Sequence, residues 1–105
     1  MPTRDEPYLN CVRELPCIGC GKHGPSEAHH ILTRGAGGGD DYWNLLSLCA
    51  GCHTGNTGAW HRGKIRFLEE HPHVLEYMYL LGWELNGTKL FHPRMLDNSG
   101  ESPTL

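Results

Sequence analysis

The sequence lacks long hydrophobic runs and any excess of basic residues. Its best apolar stretch, residues 77–81, is far shorter than the ~20 residues of a membrane-spanning helix. Residues 1–8 contain no apolar segment of a secretory signal, so we expect a cytoplasmic protein with reduced thiols and no membrane partner. The chain carries 9 Lys and Arg against 12 Asp and Glu, a formal charge of −3, and charge alone argues against a nucleic-acid partner.

The chain is also short, which limits the core that it can bury. Its 105 residues allow one domain, which we place at residues 1–96 with a core at 17–57, and we expect the polar tail 97–105 to be disordered. A core this small predicts a further covalent or metal constraint on the fold. Hydrophobic residues make up 38% of the chain, which favours a folded protein over a wholly disordered one.

Four of the five cysteines form two CxxC pairs. The pairs are Cys17 with Cys20 and Cys49 with Cys52, and Cys11 is left over. Two such pairs in a reducing compartment predict one structural Zn²⁺ site, because a two-residue gap lets a turn aim both sulfurs at one tetrahedral ion. We expect Cys11 to be a small buried residue and not a ligand.

Two alternatives use the same cysteines. A disulfide framework is typical of secreted proteins, but the cysteine count is odd and no secretory signal is present. The run from Cys49 to His53 also matches the attachment site of a c-type haem, which requires export for assembly. The first pair is followed by Gly21 and not by His, and the missing signal argues against this alternative too.

Hydrophobic periodicity and breaker residues predict an α+β fold. The predicted helices cover residues 8–14, a turn from Cys52 to Thr57, 64–70 and 72–81, and the predicted strands cover 27–32 and 44–48. A glycine-rich loop joins the two strands, and we assign Asp40 and Asp41 to its turns, with a role as metal ligands as the less favoured alternative. The core-facing residues of the last two helices are predicted to be Ile65, Leu68, Val74, Leu75, Met78 and Leu81.

Histidines and one asparagine lie between the two CxxC pairs or directly after the second pair. His29 and His30 stand in tandem in the first strand, Asn44 opens the second, and His53 follows the last cysteine. Successive side chains of a strand point to opposite faces, so the tandem pair serves one site only if the strand ends or kinks there.

This order of residues resembles the HNH endonuclease family, whose catalytic unit is the ββα-metal motif. The resemblance covers residues 17–57 and is carried by segments 27–31, 38–49 and 52–53 together with both CxxC pairs. It implies a small zinc-clamped ββα-metal core with additional C-terminal helices. It also implies a hydrolase that nicks or cuts a DNA substrate with a divalent cation; the alternative is a zinc-containing nucleic-acid-binding module of the same fold without catalysis.

The resemblance also implies a role for each matching residue. His30 takes the position of the general base, and Asn44 that of the residue that orients the base and the loop. His29 and His53 take the positions of the ligands of the catalytic cation. His61 is a candidate third ligand, with a phosphate contact or a solvated loop position as the alternatives.

The predicted chemistry is metal-assisted hydrolysis of a phosphodiester bond. A neutral imidazole is suited to take a proton from water near neutral pH. The cation is expected to be Mg²⁺ or Mn²⁺, and a site built from imidazoles lets Mn²⁺, Ni²⁺ or Co²⁺ compete well. No Gly-Lys-Ser/Thr ending follows the glycine loop, so no nucleotide cofactor is expected.

Basic residues near the motif are candidates for DNA contacts. These nucleic-acid-binding candidates are Arg34, Trp60, Arg62, Lys64 and Arg66. For the basic cluster at 62–66 the alternative is a solvated helix face, and Trp60 either stacks on a base or packs in the fold. The remaining histidines, including His92, are expected at the surface or at helix ends. We expect a monomer or a weak homodimer. Two bound dications would offset four thiolates, so a chain of charge −3 can still meet phosphate locally.

Overall fold

The structure is a computed structural model that describes residues 4–95. Its helices are α1 (Glu6–Arg13), α2 (Ala50–Thr54), α3 (Lys64–Glu70) and α4 (Pro72–Leu80), and its strands are β1 (Glu27–His30), β2 (Leu45–Leu48), β3 (Glu84–Asn86) and β4 (Lys89–Phe91). This mixture of helices and small sheets confirms the predicted α+β class. Within the described range, no helix has the length and apolar character needed to span a membrane. The predicted tail, residues 97–105, lies outside that range.

Strands β1 and β2 form an antiparallel pair that α2 follows directly, giving a ββα unit. His29 lies opposite Leu46 and His30 opposite Leu45. Strand β1 ends at His30, two residues before the predicted end. Asn44 belongs to a 3-10 turn (Tyr42–Asn44) and does not open β2, because its side chain binds the preceding loop.

Helix α2 begins earlier than the sequence predicted. It starts at Ala50, directly after Cys49, and ends at Thr54, whereas we had expected a turn from Cys52 to Thr57. The N–H of His53 donates to the carbonyl of Cys49 over 2.9 Å. Cys52 and His53 are therefore neighbours on one short helix.

Helix α1 packs on the outer side of the strand pair. Its first turn is capped by Asp5, whose carboxylate accepts the N–H of Tyr8 over 3.0 Å. Leu9 and Val12 face Leu45 in a small core cluster. Cys11 lies on another face of this helix and is exposed, so the expectation of a buried Cys11 was wrong.

The main core lies between the ββα unit and helices α3 and α4. Helix α3 has the predicted bounds, and α4 ends one residue early. Phe67 and Leu68 are buried, whereas Ile65, which we had predicted to face the core, is only half-buried. Val74 and Met78 are fully buried on α4, as predicted.

A C-terminal hairpin of β3 and β4 was not predicted. Gly87 adopts φ +63° at its two-residue turn. The Trp83 indole donates to the carbonyl of Trp43 over 2.6 Å, and His92 stacks on Trp43 with ring centroids 4.1 Å apart. His92 is buried at 4% exposure and not at the surface, but its Nε2 donates to the carbonyl of Leu81 over 2.8 Å at the end of α4, which agrees with the expected helix-end position. The hairpin thus covers the residue that precedes Asn44.

Candidate metal centres and active site

The four cysteines of the CxxC pairs converge on one point. The sulfurs of Cys17, Cys20, Cys49 and Cys52 all lie within 4.8 Å of one another. The Sγ atoms of Cys20 and Cys49 are 3.7 Å apart. A Zn–S bond of about 2.3 Å gives a tetrahedral S···S separation of about 3.8 Å, so the donor set fits a structural Zn²⁺.

Local backbone geometry explains how the first pair reaches this arrangement. The N–H of Gly21 donates to the carbonyl of Cys17 over 2.8 Å, and the N–H of Cys17 donates to the carbonyl of Lys22 over 2.9 Å. This tight turn needs φ +80° at Gly21, a conformation that favours glycine. The second pair spans the start of α2.

The thiols of this cluster have strongly perturbed acidities. Burial opposes ionisation of Cys17, but backbone N–H groups, that of Cys20 first, lower the pKa of its thiol to about 7. Burial and the neighbouring Cys17 raise the pKa of the Cys52 thiol. Four adjacent sulfurs cannot all ionise easily on their own, and a dication would offset their mutual repulsion.

A second cluster consists of three histidines. Ring nitrogens of His29, His53 and His61 lie within 4.8 Å of one another. The Nε2 atoms of His53 and His61 are 3.1 Å apart. Nε2 of His29 is buried and has no hydrogen-bond partner among residues 4–95. Three neighbouring imidazole nitrogens form a donor set that suits a transition-metal ion, and a buried ring nitrogen without a hydrogen-bond partner is explained by such a ligand role. The residues present therefore fit a divalent cation.

Surrounding groups hold these rings in place. His53 donates from Nδ1 to Oε1 of Glu27 over 2.6 Å, which leaves Nε2 as the acceptor nitrogen of a neutral ring. Trp60 packs against His29 with centroids 4.6 Å apart. Burial, followed by the charges of its histidine neighbours, lowers the pKa of His29 to about 3. Burial and His53 also lower the pKa of His61. Neutral imidazole is the form that binds metal.

The tandem histidines make different contacts. His29 faces the histidine cluster, whereas His30 donates from Nε2 to Oδ1 of Asp40 over 2.7 Å. Both residues nevertheless line one cleft of about 360 Å³, together with His61, Arg62 and Lys64. The end of β1 at His30 allows both side chains to reach this cleft.

Asp40 was assigned from the sequence to turn chemistry, but it is a buried residue with 2% exposure. Its carboxylate accepts hydrogen bonds from His30, from Arg34 and from the N–H of Asp5. Burial opposes its ionisation, but these donors, His30 first, hold the pKa of Asp40 below its ordinary value. No sequence signal distinguishes this aspartate from a turn residue, because its partners lie 6, 10 and 35 positions away.

Asn44 binds the backbone of the loop between the two strands. Its Oδ1 accepts the N–H of Leu32 over 2.7 Å, and its Nδ2 donates to the carbonyls of Leu32 and Gly39 over 2.9 and 3.0 Å. The main-chain carbonyl of Asn44 accepts the N–H of Ile31 over 2.9 Å. These bonds fix both ends of the loop that carries Asp40.

The predicted nucleic-acid-binding residues lie in different surroundings. Arg62 and Lys64 line the cleft, while Arg34 lies beside it and is bonded to Asp40. Arg66 lies outside the lining of this cleft and forms an ion pair with Glu70 at 3.1 Å. Trp60 is 5% exposed, which leaves little surface for a base to stack on. The burial of Trp60 therefore favours the alternative in which this side chain packs in the fold.

One comparison with known proteins bears on this geometry: the family model of HNH endonuclease matches residues 17–58. Residues 17–58 are therefore similar to an HNH endonuclease domain. The match confirms the resemblance and contains both cysteine pairs, His29, His30 and His53. No match was found among curated proteins or among solved structures.

The HNH segment indicates a nuclease or nucleic-acid-binding protein. It ends three residues before His61, so the third imidazole and the cleft residues Arg62 and Lys64 lie outside the matched segment. Glu27 lies inside the HNH segment, but sequence reasoning gave it no role. A glutamate two residues before a histidine pair carries no signal of its own for a contact with His53.

Proposed function

We propose that the chain is a divalent-metal-dependent endonuclease that hydrolyses DNA phosphodiester bonds. In this proposal His30 is the general base, and His29, His53 and His61 hold the catalytic cation. The observation that carries it is the convergence of three imidazole nitrogens in a cleft that His30 also lines. The cysteine cluster takes a structural Zn²⁺ and holds the frame together.

The three imidazole ligands determine which cations the site prefers. A cation bound there would polarise the scissile phosphate and stabilise the charge that develops on the leaving 3′-oxygen. Neutral nitrogen donors favour Mn²⁺, Co²⁺ and Ni²⁺ over Mg²⁺, whose preferred ligands are oxygens. We therefore expect Mn²⁺ to support activity at lower concentration than Mg²⁺.

The remaining chemistry belongs to side chains of this chain. His30 accepts a proton from water, the oxygen of that water forms a bond to phosphorus, and the bond from phosphorus to the 3′-oxygen breaks. The leaving oxygen takes a proton from solvent. Arg62 and Lys64, on the same cleft, contact the phosphates on either side and hold the strand in line.

The test is nicking of supercoiled plasmid by zinc-reconstituted protein with added Mn²⁺. Wild-type protein is expected to nick, and His30→Ala is expected to lose about 100-fold or more of the rate, because general-base catalysis contributes that much. His23→Ala is the matched control, since His23 is an exposed histidine away from the cleft.

Zinc content and plasmid retention are measured on the same samples. An unchanged nicking rate in His30→Ala, at wild-type zinc content, would overturn the assignment of the base. Retention of duplex DNA by the wild-type protein, with no product at any Mn²⁺ or Mg²⁺ concentration, would instead support the non-catalytic binding module.

A further inference from the structure

The strongest unexplained feature of the site is the buried carboxylate of Asp40. Only 1% of its side-chain surface is exposed, and it accepts four hydrogen bonds. Oδ1 accepts from His30 at 2.7 Å and from Arg34 at 2.9 Å. Oδ2 accepts from Arg34 at 3.1 Å and from the N–H of Asp5 at 2.9 Å.

Asp40 makes more contacts than an aspartate needs in order to stabilise a turn. A carboxylate removed from water needs compensating donors, and the Arg34 guanidinium together with the Asp5 N–H already supply both charge and hydrogen bonds. The further bond to His30 fixes a ring whose orientation and tautomer would otherwise vary. The three donors come from the loop, from strand β1 and from the residue before α1, so the position of Asp40 is determined by three separate segments.

We propose that Asp40 is a positioning residue, which holds the His30 imidazole in one orientation and keeps its proton on Nε2, so that Nδ1 is the nitrogen that accepts a proton. Arg34 acts through Asp40 by holding the carboxylate in place. The catalytic consequence rests on the proposed nuclease function, whereas the hydrogen bond and the tautomer do not.

The chemical basis is that a neutral imidazole has one donor and one acceptor nitrogen. An ionised carboxylate can only accept, so the nitrogen that faces Asp40 has to carry the proton. A base whose acceptor nitrogen is fixed before substrate binds needs no ring flip during the reaction. The geometry thus assigns to Asp40 the task that a carboxylate performs for histidine in hydrolases with a catalytic triad.

The decisive experiment is proton–nitrogen NMR of the histidine rings in zinc-loaded wild-type protein. It is run at about pH 8, at which an ordinary imidazole is neutral. The signals of the His30 ring are assigned as those that are missing from the spectrum of the His30→Gln variant. We expect a His30 Nε2–H proton that is shifted downfield and exchanges slowly with water, and an unprotonated Nδ1. A proton on Nδ1, or no slowly exchanging Nε2–H, would overturn the proposal without any Asp40 variant.

Asp40→Ala tests whether the carboxylate causes this state. We expect the Nε2–H signal to be lost by exchange with water, because no acceptor remains. Asp41→Ala is the matched control, one position along the same loop, and should keep the signal. If Asp40→Ala fails to retain zinc, Asp40→Asn replaces it, and the weaker neutral acceptor should give faster exchange. A signal unchanged in the folded variant would contradict the proposal.

Plasmid nicking on the same samples separates this inference from the proposed function. Asp40→Ala should lower kcat by about 10- to 100-fold, the loss typical of removing a group that orients a functional side chain, with KM for the plasmid within about two-fold. A raised KM at unchanged kcat would contradict positioning. If wild-type protein shows the expected NMR signal but nicks no DNA, the nuclease function fails while the role of Asp40 in holding His30 stands.

Discussion

At the scale of single residues, two carboxylates orient the site's histidines. Glu27 accepts from His53 at 2.6 Å, and Asp40 accepts from His30 at 2.7 Å. In each pair the carboxylate fixes which ring nitrogen carries the proton, and therefore which one can bind a cation or accept a proton. A hydrogen bond to a carboxylate thus orients both the proposed metal ligand, His53, and the proposed base, His30.

Glu27→Gln tests the role of the first pair. The amide cannot accept as strongly from Nδ1 of His53, so we expect about 10- to 100-fold weaker binding of Mn²⁺ at the histidine cluster. Calorimetric titration of Mn²⁺ into zinc-loaded protein measures this affinity without reference to activity. Glu69→Gln, an exposed glutamate on α3, is the control. Equal affinity in the two variants would contradict the role given to Glu27.

The histidines could be predicted from the sequence, and the carboxylates could not. Tandem histidines, one asparagine and a final histidine inside a cysteine frame form a recognisable order, which the family match confirms. Glu27 and Asp40 acquire their partners only when β1 meets α2 and the glycine-rich loop folds back on β1. An aspartate beside glycines has the same sequence signature whether it ends a turn or holds a base.

At the scale of elements, the loop between β1 and β2 depends on close backbone contact. A Cβ atom on Gly38 would lie 1.8 Å from the carbonyl oxygen of Leu32 and 2.8 Å from Nδ2 of Asn44. Asn44 binds that same carbonyl of Leu32. Any side chain at position 38 therefore displaces the contacts that hold the loop and Asp40.

Gly38→Ala is expected to lower the free energy of unfolding by about 2 kcal/mol or more, because it overpacks a buried position and disturbs hydrogen bonds of Asn44. Urea unfolding of the zinc-loaded protein measures this change. Gly35→Ala, in the same loop, is the control, since a Cβ there meets nothing within 4 Å and should change stability by less than about 0.5 kcal/mol. Equal stability of the two variants would contradict the close-contact argument.

The helices were easier to predict than the short strands. Pro72 and the apolar spacing on either side of it locate α3 and α4 within one residue. Strands β3 and β4 have three residues each, too few for an alternating pattern, although Asn86 followed by Gly87 is a hairpin signal. Helix α2 begins directly after Cys49, a member of the cysteine cluster, despite the low helix propensity of Gly51.

At the scale of the whole molecule, helix α2 connects the two candidate metal centres. Cys52 belongs to the cysteine cluster, and the next residue, His53, belongs to the histidine cluster. Loss of a zinc ion from the cysteine cluster would therefore also move His53, the residue assigned as a ligand of the proposed catalytic cation. In the proposed function, positive charge would be concentrated at the bound cation and at Arg62 and Lys64, so a chain of charge −3 could still contact DNA phosphates.

A chelator such as EDTA would remove both ions and so cannot distinguish the two centres. The metals have to be restored in order, first one equivalent of Zn²⁺ and then a second cation. Zn²⁺ binds nitrogen ligands more tightly than Mn²⁺, so an excess of Zn²⁺ is expected to occupy the histidine cluster and to slow the Mn²⁺-dependent reaction.

The most direct test of the central claim is the rate of plasmid nicking by protein that holds one equivalent of Zn²⁺, measured as Mn²⁺ is added. The two-centre account predicts no nicking before Mn²⁺ is added and a rate that rises to saturation. His53→Ala is expected to need a much higher Mn²⁺ concentration for the same rate. Full-rate nicking by the protein with its single Zn²⁺ and no second cation, or a wild-type Mn²⁺ response in His53→Ala, would contradict it.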